Sequence, residues 1–173
     1  MTEGDVADLV ETALRSGPTD ADERIYRPGD WPAQPDDYPL LKLRILGAQK
    51  RSLTRSGGVQ FETTATIRII GEVSAPVSLD DQAGASAAEA ALLTLGRQVE
   101  VAVIGSYPLA MRIQQIASVT TQFAYNGEGA THLAGIAIDL AIEFYQGPED
   151  FADVVTDDLD RLTLGTHLDL DLQ

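Results

Sequence analysis

Large apolar side chains stand at every second position from Ile136 to Phe144 (Ile136, Ile138, Leu140, Ile142, Phe144), with Ala137, Asp139, Ala141, Glu143 and Tyr145 between and after them. A period of two puts one set on each face of a β-strand. The segment Ala130–Tyr145 therefore reads as one strand, long enough at roughly 3.3 Å per residue to reach about 50 Å, beyond an ordinary core and toward another molecule. Ahead of it, from about Ile113, Val119, Phe123 and Tyr125 share one face of a second strand. Asn126-Gly127 between the two is a two-residue turn signal, because both residues tolerate positive φ. Earlier in the chain, Leu41, Leu43 and Ile45 alternate with Lys42 and Arg44. Val59, Phe61, Ala65, Ile67, Ile69 and Val73 alternate with Gln60, Glu62, Thr64, Thr66, Arg68 and Glu72. These are two more half-buried strands, separated by a loop over Gly47–Gly58.

Two segments change the period to that of a helix. Val6, Leu9, Val10, Ala13 and Leu14 form a single apolar stripe, with Thr2 or Asp5 as cap and Gly17-Pro18 as stop. The second runs roughly from Asp81 to Val103, with Ala88, Ala91, Leu92, Leu95, Val99 and Ala102 as its buried stripe. Its start is set either by the capping-box spacing of Ser86 and Glu89 or by Asp80 or Asp81; Gly105 and Pro108 end it. Between the first helix and the first strand, five of the eight prolines lie in residues 16–39, an extended loop pinned by Tyr26, Trp31 and Tyr38. The expected fold is α+β in two layers: a four-stranded antiparallel or mixed sheet packed by one long helix, with the N-terminal helix beside it. Residues 1–147 form the single domain and 148–173 an acidic tail. In that tail Leu168, Leu170 and Leu172 alternate with Asp169 and Asp171, which suits either a strand added to a neighbour's sheet edge or a frayed terminus.

Charge and composition narrow the function classes. The 173 residues carry a net charge of −15, and 44% are hydrophobic. Of the 12 basic residues only Arg161 lies beyond residue 112, among 11 acidic ones. Such a chain is a poor phosphate grip, although nucleic acid can pass by it without sticking. No apolar run reaches 18 residues, so no membrane span is expected, and the acidic Met-Thr-Glu-Gly-Asp start lacks signal-peptide character. With no cysteine there is no disulfide, thiolate metal site or cysteine nucleophile. His132 and His167 have no second ligand at metal spacing, and neither a Gly-x-Ser-x-Gly elbow nor a Walker loop is present. Asp139 and Glu143 share a strand face, but they alternate with core aliphatics as a solvated sheet face does. Asp153, Asp157, Asp158 and Asp160 lack the turn glycine and closing glutamate of a calcium loop. No catalytic, cofactor-binding or metal-binding residue is assigned, and no cofactor. The candidates are for protein interfaces. Lys50, Arg51 and Arg55 lie in an acid-free loop that either meets an acidic partner surface or is simply solvated. Trp31 is the lone Trp and sits in a loop, and Glu128 marks the tip of the last hairpin.

Three stretches carry a family resemblance. They are Ile25-Tyr26-Arg27-Pro28-Gly29-Asp30-Trp31-Pro32 leading to Tyr38-Pro39, the helix through Leu92-Leu93-Thr94-Leu95-Gly96-Arg97-Gln98-Val99-Glu100, and the closing Ile142-Glu143-Phe144-Tyr145. Over about residues 4–147 the layout resembles the tail terminator proteins of long-tailed bacteriophages and related tail-like particles, including gene transfer agents. The resemblance implies a structural virion protein, not an enzyme. It implies a homo-oligomeric ring, a hexamer, on the head-proximal end of the tail tube, assembled in the host cytoplasm. The ring would stop polymerisation of the tail tube protein, meet the head-tail connector or a head completion protein, and let DNA pass without specific binding. The competing readings are another neck or tail-tube protein, or a small cytosolic enzyme or ligand-binding domain with Asp139, Glu143 and Tyr145 as its polar set.

Overall fold

The computed structural model describes residues 1–28, 37–55, 57–76, 83–126 and 131–152. Helix α1 (Glu3–Ser16) starts at Thr2, whose hydroxyl accepts from the Asp5 amide while the Asp5 carboxylate accepts from the Thr2 amide. Both candidate caps thus act together in one capping box. The α1 stripe Val6, Ala7, Val10, Ala13 and Leu14 is buried. A two-residue strand, β1 (Ile25–Tyr26), follows, then β2 (Leu40–Ser52), β3 (Phe61–Pro76) and α2 (Ala83–Ile104). The short helix α3 (Tyr107–Ala110), β4 (Gln115–Asn126), β5 (Thr131–Gln146) and a single 3-10 turn, Pro148–Phe151, complete the described chain. Ser86 lies inside α2, so it does not cap that helix; Asp80 and Asp81 lie outside the described residues.

The strands form one sheet in the order β1-β2-β3-β5-β4, antiparallel throughout except for the β1–β2 pair. The α+β reading with a mixed sheet holds, and β1 is the strand that alternation could not reveal, being too short to carry a period. At the centre β3 and β5 pair along their whole length, from Phe61↔Gln146 to Pro76↔Thr131. Their odd and even positions respectively, including Ile67, Ile69, Ile138, Leu140 and Phe144, are buried beneath α2. At 1.5 Å per residue the 22-residue α2 runs about 33 Å, so it covers most of this central pair. Gly96 permits that approach: a Cβ there would lie 2.6 Å from Ile136 Cδ1. The long β5 is core over its even positions and does not project away from the domain.

Both outer strands carry a bulge, at Leu46 in β2 and at Ala117 in β4. An extra residue reverses which parity faces the helices. Leu41, Leu43 and Ile45 lie on the helix side before the β2 bulge, and Ala48, Lys50 and Ser52 after it. That reversal conceals the second half of β2 in the sequence, where Gly47–Ser52 read as loop; it is strand paired to Phe61–Thr66. The last hairpin also differs from expectation. Its final β4–β5 pair is Asn126↔Leu133, which is incompatible with a two-residue turn at Asn126-Gly127. The observed register sets Val119 against Leu140 and Phe123 against Ile136, whereas the tight turn would set them against Ala134 and Ala130. Cross-strand apolar pairing outweighs turn chemistry here.

The start of the acidic tail is tied down. Phe151 packs edge-on against Phe61 with ring centroids 5.5 Å apart, and Asp150 accepts from the Gly147 amide at 2.9 Å. Residues from 153 on, with the Leu-Asp alternation, lie outside the described residues. On the other side, α1 and α2 meet closely at Gly17, where an added Cβ would stand 2.4 Å from Ala102 Cβ and 3.2 Å from its Cα. Backbone cannot yield as a side-chain tip can. Gly17→Ala is expected to lower stability by about 1–3 kcal/mol, read as a shift of the urea midpoint at unchanged m-value.

Candidate functional site

The helix layer is off-centre. On one flank of α2, Gln98 Oε1 accepts from the Asp20 amide at 2.8 Å and Ala102 meets Gly17, so α1 and its following loop fill that side. On the other flank Glu89, Leu93, Gly96, Glu100 and Ile104 recur at three- and four-residue spacing, with Gly96 against Ile136 of β5. That flank looks over β4, and among the described residues nothing covers it. Val119, Thr121, Phe123 and Tyr125 lie on the helix side of β4, opposite core positions of β5. Yet Phe123 is 45% and Tyr125 58% exposed, and Leu93 on α2 is 53% exposed. The outward side of α2 continues the apolar surface with Ala87, Ala90 and Val101; only Glu89, Arg97 and Glu100 are charged along the whole helix. A helix apolar on all sides is ordinarily a buried one.

Among the described residues the β4 edge itself is open. From Gln115 to Asn126 it has no charged residue and no proline, and past its bulge it runs regularly from Ser118 to Asn126. Soluble proteins usually guard such an edge with lysines, prolines or repeated bulges. The opposite edge is different. β1 occupies β2 only at Leu41 and Lys42, and the remainder of β2 carries Arg44, Lys50 and Arg51 with no acid.

The sheet face away from the helices is polar and divided by charge. Arg68 donates to both carboxylate oxygens of Asp139 at 2.6 Å, and Lys42 pairs with Glu72 at 2.7 Å. Arg44 sits beside Arg68 in register and has no carboxylate in salt-bridge reach among the described residues. The β2–β3 half of this face holds Lys42, Arg44, Arg51 and Arg68 against Glu62 and Glu72, whereas the β5–β4 half holds Asp139 and Glu143 and no base. Asp139 and Glu143 do share a face, as their spacing implied. Each has its own partner, since Glu143 accepts from Gln115 Nε2 at 2.5 Å.

The basic trio is divided. Lys50 lies on the helix side of β2, where its Nζ donates to Gln146 Oε1 at 2.7 Å, pairs with Glu3 at 3.0 Å and stands 5.2 Å from the Phe151 ring centroid. Gln146 is 2% exposed and also accepts from Thr63 Oγ1 at 2.8 Å. The Glu3 carboxyl is held below its ordinary pKa, first by its own backbone amide and then by Lys50, against partial burial. Lys50 therefore joins β2 to α1 and to the end of β5. Arg51 is exposed on the polar face, 4.0 Å from Glu62, and Arg55 is exposed in the β2–β3 connection. Trp31 and Glu128 lie outside the described residues. The apolar β4–α2 shelf was not singled out from sequence; the signal available was the absence of charge through β4 together with the nearly uncharged α2.

The described residues form open surface hollows of about 240 to 320 Å3. One, between the end of α2 and the start of β4, is lined by Val103, Ile104, Leu109, Ile113 and Ile116, and it gathers no titratable pair. Among the described residues no three His, Asp or Glu side chains come together as metal ligands. No protein-family model matches the chain, and no curated protein matches its sequence.

Hydrogen bonds from Arg68 hold the Asp139 carboxyl below its usual 3.8, with the guanidinium charge adding to the effect and partial burial opposing it. A carboxyl depressed in the folded state stabilises the fold above its unfolded pKa, and that share is lost as pH falls through the folded pKa. Asp139→Asn should cost about 0.5–1 kcal/mol at pH 7, with the difference from wild type shrinking as pH falls through the depressed pKa of the folded carboxyl. Urea midpoints across that range check it.

Proposed function

We propose that this chain is a structural subunit of a phage-type tail: a tail terminator that closes into a ring on the head-proximal end of the tail tube, stops its growth and presents a surface to the head connector. The observation that carries the reading is the uncovered apolar shelf along β4 and α2, next to an unguarded sheet edge. A surface of this kind is what an assembly subunit keeps for its neighbour, and clustered exposed apolar side chains mark contact sites. A ring also needs a contact between two different patches whose rotation closes. The open β4 edge and the basic β2 edge are two such unlike patches on one sheet. The aromatic-proline stretch, the long helix and the closing hairpin supply the resemblance to tail terminators, and the charge of −15 per chain suits a bore through which DNA passes without being held.

Negative-stain imaging of the purified protein tests this. Closed rings are expected, and adding them to polymerising tail tube protein from the same particle should shorten the tubes and leave a ring at one end. Long tubes formed by this chain alone would make it a tube subunit. A monomer at every concentration, stabilised by a small molecule, would make it a ligand-binding domain or enzyme.

A further inference from the structure

We infer that the β4 edge, with its apolar shelf, receives the β2 edge of a second copy of this chain, so that the sheets of successive copies join head to tail. The inference deepens the ring reading and rests on it for closure of the assembly, but the contact itself follows from three features of the molecule.

The first is strand direction. β2 runs antiparallel to β3, β3 to β5 and β5 to β4, so β2 and β4 run in opposite senses at the two ends of the sheet. A second copy brought to the β4 edge in the same orientation therefore presents its β2 antiparallel to β4, the more stable pairing. The second is length. Among the described residues β1 blocks β2 only at Leu41 and Lys42, which leaves Leu43–Ser52 free for a partner, comparable to the regular stretch Ser118–Asn126 of β4.

The third is charge, which selects this partner over others. On the polar face the acids Asp139 and Glu143 lie toward the β4 edge, and the unpaired Arg44 with Arg51 lies on the β2 edge. Head-to-tail addition puts the bases of one copy beside the acids of the next. With Leu43–Ser52 of an added β2 laid along Ser118–Asn126 and strands about 5 Å apart, Arg51 falls opposite Ser118, whose β5 partner Ala141 lies between Asp139 and Glu143, so both acids stand one strand beyond, within reach of the paired side chains. Pairing β4 with β4 instead would set two uncharged strands between the acids of both copies with no base to meet them, and pairing β2 with β2 would bring bases together. The same addition carries the second copy's α1 layer toward the shelf of Leu93, Phe123 and Tyr125, giving those side chains the cover they lack.

Two variants test the contact. Phe123→Lys spoils the β4 edge at a residue already half exposed, and Arg51→Glu reverses the charge of the β2 edge at an exposed residue. Circular dichroism and urea midpoints should show both variants folded. By analytical ultracentrifugation each alone should assemble at least about tenfold more weakly than wild type. An equimolar mixture should form one-to-one dimers that grow no further, because each variant keeps the edge the other has lost. Arg51→Glu that self-associates like wild type, or a mixture that stays monomeric where wild type assembles, would overturn the inference. Rings that survive both substitutions would remove this contact and leave the ring reading standing. Assemblies dismantled by them that never cap a tail tube would remove the terminator reading and leave the contact.

Discussion

The full-length pairing of β3 with β5 under α2 is the constraint on which everything else in this molecule depends. Two hairpins, distant in sequence, are joined along sixteen residues of each strand, and only this junction gives the sheet a face broad enough to bury a 22-residue helix. The junction runs without a bulge, so one parity on each strand faces α2 from end to end. Phe144, Ile142, Leu140, Ile138 and Ile136 are core for that reason, and Gly96 is small so that the helix can settle onto them. The bulges fall on the outer strands, where a local twist disturbs no central packing.

Centring the helix on β3 and β5 leaves the two sides of the sheet to be finished differently. On the β2 side α1, the Gly17–Ala102 contact and the Lys50–Gln146–Thr63 cluster complete the core. On the β4 side nothing in the described chain plays the part of α1. The outcome is a domain finished on one side and open on the other, with a basic edge on the finished side and an uncharged edge on the open side. Asymmetry of this sort is what a head-to-tail assembly uses, since unlike edges add in one direction.

Much of the architecture was legible because it depends on period and local chemistry. The alternation Ile136–Phe144, the stripe Ala88, Leu92, Leu95, Val99 and Ala102 and the Thr2 cap are each read from a few neighbouring residues and are present as read, whereas Ala91, expected in that stripe, is exposed because its position turns it to the outer side of α2. The misses share a cause. The second half of β2 was hidden because the bulge at Leu46 shifts the helix-facing positions from odd to even, so no alternation runs through it. The Asn126-Gly127 turn was displaced because apolar partners across strands outweigh a favourable turn dipeptide. Lys50 read as a loop cation because its partners, Glu3 and Gln146, are remote in sequence.

The sequence by itself determined the α+β class, the long apolar strand, the two helical stripes, the cysteine-free acidic composition and the lack of recognisable catalytic motifs. All of these are properties of side-chain type and short-range spacing. Only the tertiary structure decided which strands are central and which are edges, that Arg68 holds Asp139, that Lys50 is engaged within the fold, and that Phe123 and Tyr125 lie on the core side of the sheet without being in the core. Those outcomes depend on where a helix of fixed length comes to rest on a five-stranded sheet. A strand's apolar face shows the side it would bury, but whether that side is covered depends on which elements pack above it.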